Sequence, residues 1–422
     1  MCAKWKSNFD PVLIVQKLED AREANGNGLM FIGPLGGPRF EGFQLTEIKT
    51  WLSSALEFES DIPPSETDSI LHSAIFSAAA TGPLSMSTLM EHVSRGENCY
   101  RLKPKSEFVI VTSISVKPGS SVPRRSIQGS TITFHDELNS SFKLSSLKEE
   151  AMSLLSIEPS HYEKLVKVRV NARSEAEAIE RATDSLDHLL GIWNLYFNLG
   201  VPMTIQVAGR GDKPVNEIRM GPVHSAHSKN GKRTSSLLWY RSSLEFSSRF
   251  PIKAFQYDDD LKIFEKRVRK KAKAVHDKLD MSKYLIWYNQ ALSSADPEAT
   301  LLSMWALLER MTGTSRQSYS DLIRRLLFVK GDKEIHKQIL EHLRDTRNNV
   351  AHSASSSRDG YYHVYQLKRY VERFIITLLN ELRSYDSLEE FHMVLSMSQD
   401  TETLKYRIRT AEMALNAQRK LK

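Results

Sequence analysis

Residues 297–311 read PEATLLSMWALLERM, and this stretch decides how the second half of the chain is built. Leu301, Met304, Trp305 and Leu308 recur at spacings of three and four, which places them on one stripe of an α-helix. Asp296 precedes the run as an N-cap, and Pro297 suits the first helical position, where a missing N–H costs nothing. The same period repeats outward in both directions. It predicts helices over Asp259–Leu279 and Ser282–Ala295, then over Tyr319–Val329, Lys333–Val350, Tyr361–Tyr385 and Thr401–Lys420. Leu367, Val371, Phe374, Ile375 and Leu378 supply the stripe of the long helix after 360. Short connections between striped helices favour an antiparallel bundle, so residues 256–422 are expected to be all-α. The last helix is more polar and is expected to pack at the periphery or on a partner.

The first 255 residues have a different grammar, read as a strand-rich α+β region of one or two units. Pro11–Ala24 carries a short helical period, and the run at 29–32 is closed by the glycine–proline turn of 33–38. Residues 108–116 are dense in β-branched side chains and read as a strand, as does Ser130–Phe134. Lys164–Ala172 alternates Val166, Val168 and Val170 with charged residues, the pattern of a half-buried strand. Ser174, with Glu177 three residues on, reads as a capping box opening a helix that runs to Asn198. Met203–Val207 is expected to be a further strand, and the polar segment Gly209–Arg233 a long loop. The glycines near 33 do not match a phosphate-binding loop, because no Gly-Lys-Ser/Thr follows and Pro34 and Pro38 remove donors.

The chain has 422 residues, 41% hydrophobic and 26% charged, which is ordinary for a soluble globular protein. No run of eighteen apolar residues exists and no secretory h-region follows the first residues, so a cytoplasmic protein without a membrane partner is expected. Two cysteines, Cys2 and Cys99, are too few for a disulfide framework or a four-cysteine zinc site. The net charge of +7 is mild, but it is concentrated. Between Lys262 and Lys278 eight Lys and Arg residues stand against Glu265 and Asp277 alone. Such a helix is either solvated or faces an anion, which makes Arg269, Lys270 and Lys271 candidate contacts to RNA phosphates.

The sharpest constellation is Arg344-Asp-Thr-Arg347-Asn348-Asn-Val-Ala-His352, at the end of one helical pattern. On a helix Asn348 and His352 share a face, whereas Arg347 lies about 140° from His352. Convergence therefore requires a bend or a second chain. Arg344, one turn earlier, can add charge to the same patch. The residue types suit phosphodiester cleavage in RNA, where the 2′-OH is the nucleophile and no metal-bound water is needed. Histidine supplies proton transfer near pH 7, and a fixed arginine balances the charge of the transition state.

Three pieces carry a resemblance to a known family. They are Trp287-Tyr-Asn-Gln-Ala-Leu292, Leu301–Glu309, and Leu343–His352 leading into 361–382. In order, spacing and helix type, residues 280–385 resemble the HEPN superfamily, specifically its ApeA-like branch, which puts a strand-bearing region before its HEPN domain. The resemblance implies an α+β N-terminal sensing region (1–255) and an all-α HEPN helical bundle (256–422). It also implies a homodimer or higher oligomer in which two Arg-Asn-x-x-x-His motifs line one cleft. The activity implied is metal-independent endoribonuclease action on RNA, tRNA among the targets, with no cofactor. In bacterial anti-phage defence such proteins halt growth, here under a phage-derived activator. The alternative it carries is a non-catalytic HEPN module that binds RNA, a nucleotide or a phage protein.

Weaker candidates remain. Glu309, beside Trp305 and Leu308, reads as a paired core carboxylate or as a supporting partner of the site. His224 and His227 read as loop histidines, since His135 and His161 lie far off and no acid ligands accompany them. No Gly-x-Ser-x-Gly elbow appears. Trp239, Tyr240 and the pair Tyr361-Tyr362 read as core aromatics before they read as base-stacking surfaces.

Overall fold

The computed structural model describes residues 3–23, 30–32, 39–59, 61–139, 142, 163–200, 215–235, 239–240, 257–315, 318–328, 332–353, 360–397 and 400–421. At 23, 30–32, 39, 41–44, 352–353 and 420–421 the description is of the backbone alone. The expected strand Met203–Val207, the turn at 33–38 and His161 lie outside the described residues. The chain forms two compact units: Met1–Ile110 with Arg169–Ala182 and Ala226–Ser236, and Val111–Val168 with Thr183–Ser225 and Leu237–Lys422. This grouping differs from a division at 255/256, because 111–168 and 183–225 fold with the later helices.

The first unit is more helical than its sequence shows, while residues 1–255 as a whole are mixed α+β, as expected. Four helices occupy most of its first hundred residues: α1 (Pro11–Glu23), α2 (Gly42–Ala55), α3 (Pro64–Thr81) and α4 (Met86–Leu102). Their strands are short: β1 (Lys4–Trp5) pairs antiparallel with β4 (Leu56–Glu57), and β2 (Met30–Ile32) with β3 (Arg39–Glu41). Small residues explain why α3 escapes a periodicity reading. Its buried set mixes Ile70, Leu71 and Ile75 with Ala74, Ala78 and Ala79, so the apolar face is broad and weakly contrasted. The small residues serve close packing, since a Cβ at Gly96 of α4 would stand 2.9 Å from Ile70 Cγ2. Ser85 caps α4, its hydroxyl accepting from the Thr88 N–H at 3.1 Å. In the same unit Ser174 accepts from the Glu177 N–H at 3.0 Å, while the Glu177 carboxylate accepts from the Arg173 N–H at 2.6 Å. This is the expected capping box shifted by one residue.

A six-stranded sheet has the order β10–β9–β5–β8–β7–β6, with β5 at Ser106–Ile114, β6 at Arg125–Ile127, β7 at Ser130–His135, β8 at Lys164–Ala172, β9 at Val223–Ser228 and β10 at Trp239–Tyr240. Strand β8 buries alternate residues, Val166, Val168 and Val170 among them, as its sequence pattern requires. Strand β9 corrects the expectation of a loop over 209–233. Its side chains are small and polar, so no hydrophobic alternation announces it, yet it is almost wholly buried.

Helix α5 (Glu175–Asn198) enters the second unit at Thr183 and is buried on both sides from Leu186 to Leu195. One side meets the sheet, where the Trp193 and Phe134 ring centroids are 5.7 Å apart. The other meets α7 (Met281–Ser293) so closely that a Cβ on Gly191 would run into the Leu285 carbonyl. Around this pair stand α6 (Asp259–Ala274), α8 (Pro297–Thr312), α9 (Tyr319–Phe328), α10 (Lys333–Ser353) and α11 (Gly360–Glu381), with α12 (Leu388–Leu395) and α13 (Thr401–Leu421) after a short 3-10 turn. Asp258, Asp280 and Asp296 cap α6, α7 and α8 through side-chain oxygens. Helix α8 ends at Gly313, whose φ of 68° and tight approach to His392 both demand glycine. Helix α12 has only two turns, too short for its period to show in sequence; Phe391 and Leu395 are its buried contacts. From Lys405 to Arg419 every residue of α13 is exposed. No described helix is long and apolar enough to cross a membrane.

The middle of this unit is polar. Lys368 of α11 is 1% exposed, and its ammonium donates to the Asn198 carbonyl at 2.6 Å and to Glu372 Oε1 at 2.9 Å. Tyr288 OH donates to the same Glu372 oxygen at 2.8 Å and accepts from Asn198 Nδ2 at 3.0 Å. Asn198 continues to Asn216 at 2.9 Å, and Asn216 to the Asn289 carbonyl at 2.8 Å. Asn289 reaches Asn194 at 2.8 Å and Asp187 at 2.9 Å. Burial holds the Glu372 carboxyl above its usual range although Lys368 pulls the other way.

Two predictions follow from these contacts. Lys368→Met strands a buried carboxylate and should cost about 3–5 kcal/mol in a denaturant titration, whereas Lys368→Met with Glu372→Leu should recover much of that loss. A double variant as unstable as the single one would show that the pair is not coupled. The second concerns His188, whose ring nitrogens have no hydrogen-bond partner and whose pKa burial pushes down to about 4. Its contribution to stability is complete above pH ~6.5 and is lost as pH falls through about 4, about 3 kcal/mol in all. His188→Leu should flatten that acid limb, and an unchanged limb would assign the loss to other groups.

Candidate functional site

Helix α10 is anchored by Leu340 and Leu343, both fully buried. Arg347 follows Leu343 by four residues, about 40° around the axis, so it continues the apolar stripe instead of turning to solvent. It is half-buried, with its guanidinium carbon 5.5 Å from the centroid of the Tyr319 ring at the start of α9. Its Nη1 donates to Asn348 Oδ1 at 3.2 Å. No carboxylate among the described residues pairs with it. A cation held by a ring face and an amide keeps its full charge available to an incoming anion.

Behind Tyr319 stands a relay of α8 residues. Tyr319 packs edge-on to Trp305 at 6.0 Å between centroids, and Trp305 Nε1 donates to Glu309 Oε1 at 2.9 Å. Glu309 thus reaches Arg347 through two aromatic rings and not through a direct ion pair. It also lines a cavity of about 610 Å³ with Lys283, Tyr284, Trp287 and Arg310.

The two arginines of the motif differ in kind. Arg344 contacts Glu341 and lies 2.9 Å from Asp345 Oδ1, and the Asp345 hydrogen bond raises its already high pKa. Its charge is spent within its own helix. The backbone of α10 is helical through Ser353, so Asn348 and His352 sit one turn apart along it and Arg347 stays about 140° from His352. The side chain of His352 lies outside the described residues. A second pair of imidazoles adjoins the motif: His342 Nε2 of α10 and His363 Nε2 of α11 are 3.2 Å apart. One nitrogen must donate and the other accept. Sequence reading missed the pair because 21 residues separate its members.

Among the basic residues of α6, Arg269 donates from Nη2 to the Ser126 carbonyl at 2.7 Å and from Nη1 to Glu265 at 3.4 Å. Lys271 is bound to Asn380 of α11, while Lys270 is exposed and has no such partner among the described residues. His224 and His227 are not loop histidines. Both lie in β9, each 1% exposed, with His224 Nδ1 2.8 Å from Thr112 Oγ1 and His227 Nδ1 2.9 Å from the Gly231 carbonyl. No group of three or more His, Cys, Asp and Glu among the described residues is placed to hold a metal ion. No protein-family model, curated protein or solved structure matches this chain.

The Tyr319–Arg347 contact is open to measurement. Tyr319→Leu and Arg347→Gln, singly and together, should show a coupling of about 0.5–2 kcal/mol in thermal or denaturant unfolding. Strict additivity would mean that the ring does not hold the guanidinium.

Proposed function

We propose that this chain is a metal-independent endoribonuclease of the HEPN type, in its ApeA-like branch, with Arg347, Asn348 and His352 as the catalytic group. The observation that carries the reading is Arg347: an arginine at a core-facing position, held by Tyr319 and Asn348, with no acid among the described residues to neutralise it. A structural role alone would be served there by another leucine. In the reaction the 2′-oxygen attacks phosphorus and gives its proton to a base, the P–O5′ bond breaks, and the departing oxygen takes a proton. A 2′,3′-cyclic phosphate and a 5′-hydroxyl result. His352 has the chemistry for proton transfer near pH 7, and Arg347 for charge on the non-bridging oxygens. The active unit is a homodimer or larger, because one continuous helix separates its arginine and histidine while two facing motifs supply both around one phosphate. In a cell the target is RNA, tRNA among the candidates. The role is growth arrest in anti-phage defence, released by a phage-derived activator.

The purified chain, incubated with total RNA and with a single-stranded DNA of matched length, tests this. RNA should be cut in excess EDTA and DNA left whole. His352→Ala should lower the rate by about 10²–10⁴ at unchanged melting temperature. Arg344→Gln should matter far less than Arg347→Gln, since Arg344 is already paired. Mixed His352→Ala and wild-type subunits should lose activity beyond simple dilution. RNA binding without cleavage by the wild type, whatever activator is supplied, would favour the non-catalytic interaction module.

A further inference from the structure

Helix α6 places Lys262, Lys266, Arg269, Lys270 and Lys273 within about 100° of one another around its axis. That face looks across a cavity of about 1140 Å³ to Arg124 and Arg125. The lining holds seven cations against two carboxylates, Asp259 and Glu265. Glu265 does not soften the field, because its charge is consumed below the surface. It is 3% exposed and accepts from Arg125, Arg269, Tyr257 and Trp193, with Arg125 Nε 3.0 Å from Oε1 and Tyr257 OH 2.9 Å from Oε2. It fixes two arginines in place and leaves the rest of the wall positive. Lys266, Lys270, Lys273 and Arg124 have no carboxylate partner among the described residues. Like charges gathered on one wall repel in the empty state, and an anion between them relieves that repulsion.

The class of anion follows from what else lines the cavity. Tyr257 is its aromatic residue, and the Arg125 guanidinium lies 4.3 Å over that ring. Trp193 packs against the same ring at 6.0 Å between centroids, so among the described residues little ring surface is left to stack a base, which single-strand grooves use to hold nucleic acid. The volume lies just above the usual range for small-ligand pockets, about 300–1,000 Å³, which leaves room for an extended anion. The cavity is also remote from the Arg347 motif. Helix α6 meets α11 at Asn380, near its end, whereas the helix bearing Arg347 meets it at His363, near its start. The 22 residues of α11 extend about 33 Å. We propose that this cavity is a separate binding site for a compact polyphosphate, a chain of three or more phosphates either free or carried on a nucleoside. The site stands whether or not the Arg347 motif cuts RNA.

Calorimetric titration of the full chain with inorganic tripolyphosphate and with ATP, at low salt, tests the assignment. Both should bind, at equal strength if only the phosphates are read and with ATP tighter if the nucleoside adds contacts. The triple variant Lys266→Glu, Lys270→Glu, Lys273→Glu should weaken binding by at least about 30-fold, since three phosphate contacts are reversed. These side chains are exposed, so the fold should persist, as circular dichroism would verify. A control with the same charge change, Arg267→Glu, Lys333→Glu, Lys337→Glu, should alter affinity less than about threefold. Failure of both ligands to bind, or equal loss in the control, would overturn the proposal. So would a single-stranded RNA that binds through the three lysines while tripolyphosphate binds no better than sulfate, which would make the wall a track for RNA.

Discussion

Burying the Lys368 ammonium sets the terms for the second unit. An ammonium with 1% exposure has lost its water and must find fixed oxygen acceptors. It takes one from Glu372 on its own helix and one from the last carbonyl of α5, Asn198. The second contact is the consequential one, because it ties α11 to an element that follows β8 in the chain. Tyr288 and the asparagines 194, 198, 216 and 289 extend the tie, each satisfying a neighbour's donor or acceptor. A network of this kind favours one arrangement over slipped alternatives, since any shift of α5 against α7 leaves several buried polar groups unpaired at once. Gly191 enforces the same register sterically, at the point where α5 touches the Leu285 backbone.

That seam also explains what could and could not be seen in the sequence. The helices after 258 were legible because Leu, Met, Trp and Phe recur with helical period and Asp258, Asp280 and Asp296 stand where caps belong. Strand β8 was legible through its valines. The seam itself was not, because asparagines scattered over some hundred residues carry no period. In the same way α3 hides behind alanine and serine, and β9 behind a run of His and Ser. At the candidate site the residue types and spacing were visible, but their unequal standing was not. Only the fold distinguishes Arg344, paired twice along its helix, from Arg347, which faces a ring.

The position of Arg347 is informative as a conflict between levels. The period of α10 asks for an apolar side chain after Leu340 and Leu343, and the sequence gives a guanidinium with an aromatic lid. Its aliphatic stem can cover apolar surface while its head stays accessible, so the stripe is not lost altogether. Conflicts of local pattern with chemistry are expected where function has been favoured over packing. The relay from Glu309 through Trp305 and Tyr319 fits that view. It orients the ring that holds the cation without placing a carboxylate near enough to neutralise it.

Helix α6 resolves a similar conflict differently. Its charge is too dense for a connector, and the fold sorts it by face. Leu261, Glu265 and Val268 turn inward, and Glu265 becomes the anchor for Arg125 and Arg269. Lys271 is used on another side, against α11. What remains after these internal uses is a coherent row of lysines on one wall. A row left over from packing would be scattered around the axis, with each charge free to reach water or an acid one turn away. Here Lys266 and Lys270 have no acid at that spacing, Lys273 has only Asp277 beyond the end of the helix and makes no ion pair with it, and all three face two further arginines. Repulsion on that scale is tolerated where something of opposite charge spends time between the two walls.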